Sequence, residues 1–249
     1  MWKSATELAN WALDLRLEDV PADVATAARL QILDTVGVCI AGQAVAEVRD
    51  FSAALVRGQP TATIWGTQWK APLLSSALAM AASGTWHDFD SGNRFAGGHA
   101  TIHTLPAVVA YAEANNMNGR AVLEAFAAGY EIANRLGRAT KLREGLHPHG
   151  TWPVVGAAVA LSKLAGLSAE DTARCARIAS GLTLVTSFQT AYEGATVRNV
   201  YAGIGAHHAL LALRLTQAGF TGLKRGLEVT FGQISGTSFS ASLAGAEFG

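Results

Sequence analysis

Three short polar runs interrupt this chain, and they hold most of the residues able to move a proton or grip an anion. Residues 85–106, TWHDFDSGNRFAGGHATIHTLP, carry Asp88, Asp90, His99 and His103. Glycines 92, 97 and 98 allow this loop to fold back, so that His99 can approach Asp88. A carboxylate beside an imidazole suits general acid–base work, because each tunes the proton affinity of the other. The plainer reading makes Asp88 and Asp90 loop or cap carboxylates and His99 the cap of the next helix. His99 and His103 also form an i,i+4 pair, but position 100 is Ala, so the central Glu of an HExxH zinc motif is missing and no metal site is assigned.

Residues 141–153, KLREGLHPHGTWP, place Lys141, Arg143, His147 and His149 between two apolar segments. Such a cationic loop either binds an anionic substrate or is an ordinary solvated connection. In residues 192–203, YEGATVRNVYAG, Arg198 is the one strong cation. It can hold a carboxylate in a two-pronged grip or make a surface salt bridge. His207 and His208 are adjacent on a helical pattern and point about 100° apart, which makes them packing or interface residues rather than a chelating pair. No G-x-S-x-G nucleophile elbow occurs.

The elements that must position these groups read as helices. Pro21 opens a helix over 22–42, with Leu30, Ile32, Leu33, Val36 and Val38 as a broad apolar face and Gly42 as its stop. Further helices are expected near 45–56, 73–87, 101–115, 119–140, 154–164, 169–188 and 200–218. Ser168 and Asn118 are the expected N-caps of two of them. Residues 61–70, with β-branched and aromatic side chains around Gly66, read as a strand or hairpin. The helices are rich in Ala and Gly, which lets their axes approach closely. The expected fold is therefore an all-α, Ala/Gly-rich multi-helix bundle with at most one short hairpin. No strand–helix alternation and no Walker-type loop is present.

Composition narrows the function classes. Among 249 residues, 19 basic and 19 acidic side chains cancel, which argues against a sequence-independent nucleic-acid binder. Only 15% of residues are charged and 50% are hydrophobic, so the chain can offset its ordering entropy by burial and hide surface in a thick core or against a partner. A homodimer is expected. The N-terminus lacks the pattern of a secretory signal, and the charge-free stretches 178–192 and 145–162 are too short or too rich in His and Pro to span a bilayer. Cys39 and Cys175 sit far apart in apolar patterns and read as buried thiols of a cytoplasmic protein. The Gly/Ser/Ala-rich residues 233–249 read as the start of a linker that follows a helical domain over 1–232.

HDFDSGNRFAGGHATIHTLP, taken with LDTVGVCIAG, GYEIANRLGRA, LHPHGTWPVVGAAVALSKLAGLS and VRNVYAGIGAHHALLALRLTQAGFTG, resembles the MmgE/PrpD family in motif and in order over nearly the whole chain. That family contains 2-methylcitrate dehydratase, cis-aconitate decarboxylase and iminodisuccinate epimerase. The resemblance implies the helical domain of a two-domain enzyme whose second, α+β domain has no counterpart here. It implies cofactor-independent proton abstraction next to a carboxylate of a di- or tricarboxylate, with dehydration by a lyase first, and epimerisation or decarboxylation as alternatives. A helical module that only dimerises or binds is the further alternative. By resemblance Asp88, His99 and His147 are the catalytic residues, and Arg198, Asp90, Lys141 and Arg143 bind substrate. Ser91, Gly92, Ala100 and Arg198 depart from the usual pattern and change the substrate-facing detail.

Overall fold

The computed structural model describes residues 5–245, and the architecture is mainly helical. Helices α1 (Ala5–Asp14), α2 (Ala22–Gly42) and α3 (Ala46–Ala54) lead into a short hairpin of β1 (Ala62–Thr63) and β2 (Lys70–Ala71). Then follow α4 (Leu73–Gly84), α5 (Ala100–Ala114), α6 (Gly119–Ala139), β3 (Thr140–Leu142), α7 (Trp152–Leu164) and α8 (Ala169–Ser180). The chain closes with α9 (Gln189–Tyr192), α10 (Tyr201–Gln217), α11 (Gly226–Val229), β4 (Gly236–Phe239) and α12 (Ala241–Ala244). The expected caps form: Asn118 Oδ1 accepts from the Ala121 amide at 3.0 Å and Ser168 Oγ from that of Asp171 at 3.1 Å.

Helices α5 and α7 form the centre. Both are apolar around most of their circumference, the pattern of helices that neighbours cover on all sides. Every residue of α7 except Lys163 is buried, and α4, α6, α8 and α10 surround the pair. Close approach needs glycine where α6 crosses α7. A β-carbon on Gly129 would lie 2.6 Å from the Gly156 carbonyl oxygen, and one on Gly156 2.4 Å from that of Gly129. The two thiols, Cys39 and Cys175, are buried and unpaired.

Three local expectations change. The helix begun at 169 stops at Ser180 rather than continuing to 188. Backbone groups of the loop 145–150, buried from His147 onward, need partners, and residues 184–188 supply them outside any helix. The Leu184 amide donates to Gly150 O, that of Phe188 to Gly145 O, and that of His147 to Thr186 O. In α2 the buried stripe is Ala25, Thr35, Cys39 and Gly42, small residues that fit close to α4. The bulkier Leu30 and Leu33 are 60% and 69% exposed, while Ile32, Val36 and Val38 are half-buried, so the expected apolar face is only partly covered. Residues 236–245 return to the bundle: β4 pairs with β3, the Ser240 amide donates to Ala139 O, and Ala244 is buried beside α6. This second strand pair joins segments far apart in sequence and is not a hairpin.

Candidate active site

The first polar loop folds back as its glycines suggest, and Asn93 makes the bend. The Asn93 amide donates to Gly98 O, its carbonyl accepts from the Gly97 amide, and its Oδ1 accepts from the amides of Phe95 and Ala96. Gly97 takes a φ of 65° at this bend. The Trp152 ring lies so close to Gly98 and Gly137 that a β-carbon on Gly137 would sit 2.6 Å from Trp152 Nε1. Trp152 at the head of α7 thus presses the returning strand of the loop into place.

The fold brings Asp90, not Asp88, to His99. His99 Nδ1 is 2.9 Å from Asp90 Oδ2 and 3.1 Å from Asp90 O. The Asp90 carboxylate is buried, whereas 28% of the His99 side chain remains exposed. Burial draws His99 toward its neutral form, but the contact with Asp90 and the nearby charges outweigh it and raise its pKa above the usual imidazole value. His99 occupies the N-cap position of α5 without making a side-chain cap.

Behind this pair stand three more imidazoles. His103, one turn further along α5, donates from Nδ1 to His99 O at 2.8 Å and accepts at Nε2 from the Gly150 amide at 2.9 Å. Both nitrogens are used and the neutral tautomer is fixed; burial pushes its pKa down to about 4. Gly205 of α10 makes room for that ring, since a β-carbon there would lie 2.6 Å from His103 Cδ2. His147 accepts at Nδ1 from the His149 amide at 3.1 Å and stacks on Phe188 with centroids 5.1 Å apart. Burial, then the charges of Arg198 and His99, bring its pKa down to about 4. His149 lies between the other rings, with centroids 4.8 Å from His99, 5.3 Å from His103 and 4.7 Å from His147. It is fully buried and held well below the usual imidazole range by desolvation and by its neighbours.

Asp88 lies apart from these rings, at a φ of 58°, with 68% of its side chain exposed. It is paired with Arg198 Nη2. The expected Asp88–His99 contact is therefore replaced by two contacts, Asp90–His99 and Asp88–Arg198, because the left-handed turn at Asp88 sends successive acids to opposite sides. Thr85 at the end of α4 donates from Oγ1 to Asn199 O at 2.6 Å, tying the Arg198 turn to the same loop. A cavity of about 290 Å³ opens here, lined by Trp86, Asp88, Thr190, Arg198 and Asn199 among others. The remaining cations go elsewhere. Arg143 spends its guanidinium on the carbonyls of Gln233 and Ile234, and Lys141 is an exposed residue of β3. Neither makes a contact with the histidine cluster. The central place of His149 was not assigned from sequence; the H-P-H spacing of 147 and 149 was its only visible sign.

Fold and site together define a class: an Ala/Gly-rich helical domain that buries a carboxylate–imidazole pair beside an anchored arginine. Residues 6–244 match the model of the MmgE/PrpD N-terminal domain, and the chain belongs to the MmgE/PrpD family. It is similar to a cis-aconitate decarboxylase of Aspergillus terreus, 26% identical over 238 residues that cover 91% of this chain and 48% of the relative. It is also similar to the cis-aconitate decarboxylase-like protein oryM of Aspergillus oryzae, 28% identical over 246 residues that cover 91% and 49%. The chain thus spans about half the length of the curated relatives it matches.

Proposed function

We propose that this chain supplies the acid–base half of a cytoplasmic lyase acting on a di- or tricarboxylate. The observation that carries the reading is the buried Asp90 carboxylate against His99 Nδ1 at 2.9 Å. Asp90 engages Nδ1, which leaves Nε2 to exchange a proton with a substrate carbon. The raised pKa of His99 favours the imidazolium, a proton donor to the carbanion-like centre left by loss of carbon dioxide. The same nitrogen, once neutral, abstracts a proton next to a carboxylate in dehydration or epimerisation. His147, kept neutral, offers Nε2–H as a hydrogen-bond donor to the developing charge. Arg198 exchanges Asp88 for a substrate carboxylate, since a bidentate guanidinium grip favours planar anions.

Decarboxylation is placed ahead of dehydration because both relatives described above carry that name. Phe89, Tyr192 and Val197 stand exposed on the segments bordering the Arg198 cavity, which suits a site covered by a second lobe. The test is turnover of a panel of di- and tricarboxylates in deuterated water, read by proton NMR. Carbon dioxide loss, alkene formation or exchange alone distinguishes the three reactions. No product, no exchange and no Arg198-dependent binding of any member of the panel would overturn the reading.

We also propose a homodimer through α2. Leu30, Leu33 and Ile40, which share one side of that helix, are 60%, 69% and 48% exposed. By length and composition α2 is also apolar enough to cross a bilayer. Arg29 and Asp34 within it are costly in hydrocarbon, and its small-residue stripe packs on α4, so a second protein surface fits better.

A further inference from the structure

A cavity of about 600 Å³, about twice the volume of the one at Arg198, opens where the segment after α10 crosses the end of α8. Arg177, Lys224, Arg225 and Glu228 line it, together with Leu227 and Gln233. Among the described residues it shares no lining residue with the Arg198 cavity. Glycines bring its cations together. A β-carbon on Gly222 would lie 2.5 Å from the Arg177 carbonyl carbon, and one on Gly226 2.6 Å from Ser180 Oγ. The turn carrying Lys224 and Arg225 is thereby laid on the last turn of α8, where Arg177 stands. Further on, Thr230 Oγ1 donates to Ser180 O at 3.2 Å, and Arg143 holds the carbonyls of Gln233 and Ile234. Both ends of the segment are fixed.

A chain with 15% charged residues and no net charge gathers three cations here against one acid. Among the described residues, none of these three side chains makes an ion pair or a hydrogen bond. An isolated unpaired cation is ordinary on a surface, but three around one concave space focus a positive potential.

We propose that this cavity binds a small organic phosphate, at a site separate from the catalytic one. A tetrahedral phosphate directs three oxygens to different points of a wall and carries close to two negative charges at pH 7. Three cations against Glu228 leave two positive charges, which match that dianion. A planar carboxylate is satisfied by one guanidinium fork and would leave two of the cations idle. The volume exceeds the need of bare phosphate and falls among cavities that hold small organic ligands, roughly 300–1,000 Å³. The site does not depend on the reaction proposed above.

The test is calorimetric titration of the whole chain with phenyl phosphate and with benzoate, two probes that share a ring and differ in the anion. One phenyl phosphate should bind per chain, more tightly than benzoate. Arg177→Gln, and Lys224→Gln combined with Arg225→Gln, should each weaken that binding by about tenfold or more. Arg198→Ala and the exposed Arg29→Gln should leave it unchanged. No saturable binding of phenyl phosphate, or a loss in Arg29→Gln or Arg198→Ala as large as in the cavity variants, would overturn the site. Equal binding of both probes that the cavity variants weaken alike refutes a phosphate site. If Arg177→Gln does not fold, the Lys224→Gln and Arg225→Gln pair decides alone, because both side chains are exposed and outside the core.

Discussion

Asp90 Oδ2 lies 2.9 Å from His99 Nδ1, although the two are nine positions apart in sequence and Asp88 is the acid exposed to solvent. Neighbouring acids thus have different partners, His99 for Asp90 and Arg198 for Asp88. Asp90→Asn keeps the volume but removes the charge that raises the pKa of His99. Turnover by the active enzyme should fall by about a hundred- to ten-thousand-fold in kcat, whereas Asp88→Asn should act chiefly on KM. Equal losses of kcat in both variants would place the two acids in one role.

Arg198 is 13% exposed and held by Asp88, by Asn199 Oδ1 at 3.2 Å and near Thr85 O. Arg198→Ala should cost about 2 kcal/mol of carboxylate binding, or ~30-fold in KM, with Arg198→Lys recovering part of it. Steady-state kinetics across the polycarboxylate panel reads this. An unchanged KM in Arg198→Ala removes the residue from substrate binding.

Acid should destabilise the fold before its carboxylates titrate. His103 and His147 have folded pKa values near 4 against an ordinary 6.5. Between these values the unfolded chain binds more protons, so stability is present above pH 6.5 and lost as pH falls toward 4. Each group contributes up to about 3 kcal/mol. His99, raised, acts in the opposite sense: its contribution is present below pH 6.5 and lost as pH rises through its folded value. His149 and His207, also lowered, act in the same sense as His103 and His147, so the lowered imidazoles are more numerous than the one raised. Thermal unfolding should show Tm dropping between pH 6.5 and 4.5, and a flat Tm over that range would contradict the buried neutral rings.

Gly205→Ala introduces a β-carbon 2.6 Å from His103 Cδ2. The ring is pinned by two hydrogen bonds and cannot yield cheaply, so a loss of about 1–3 kcal/mol is expected in denaturant unfolding. A neutral substitution would mean that α10 can shift at this point.

Leu33→Asp should convert a dimer to a monomer in sedimentation velocity at micromolar concentration, with the fold intact, because Leu33 is 69% exposed and outside the core. A wild-type chain that is already monomeric there would remove the proposed α2 interface.

The helices, their caps and the Ala/Gly close packing were legible from residues alone, because helical period, Asn118 and Ser168 are local signals and glycine at a crossing needs no partner to be recognised. The polar loops were legible too, as the places where Asp, His and Arg interrupt apolar runs. What tertiary structure decided was pairing. Asp88 and Asp90 are equivalent by spacing, and the left-handed turn at Asp88 separates them. Leu184–Phe188 has a helical pattern, but carbonyls and amides of the loop 145–150 claim its backbone. The broad apolar face of α2 is split: Ile32, Val36 and Val38 are half-buried while Leu30 and Leu33 are exposed, because small residues make the closest approach to α4. His149 becomes central only when α5, α7 and α10 close around it. A sequence shows which groups are present, whereas the free nitrogen, the buried oxygen and the distance between them arise from packing.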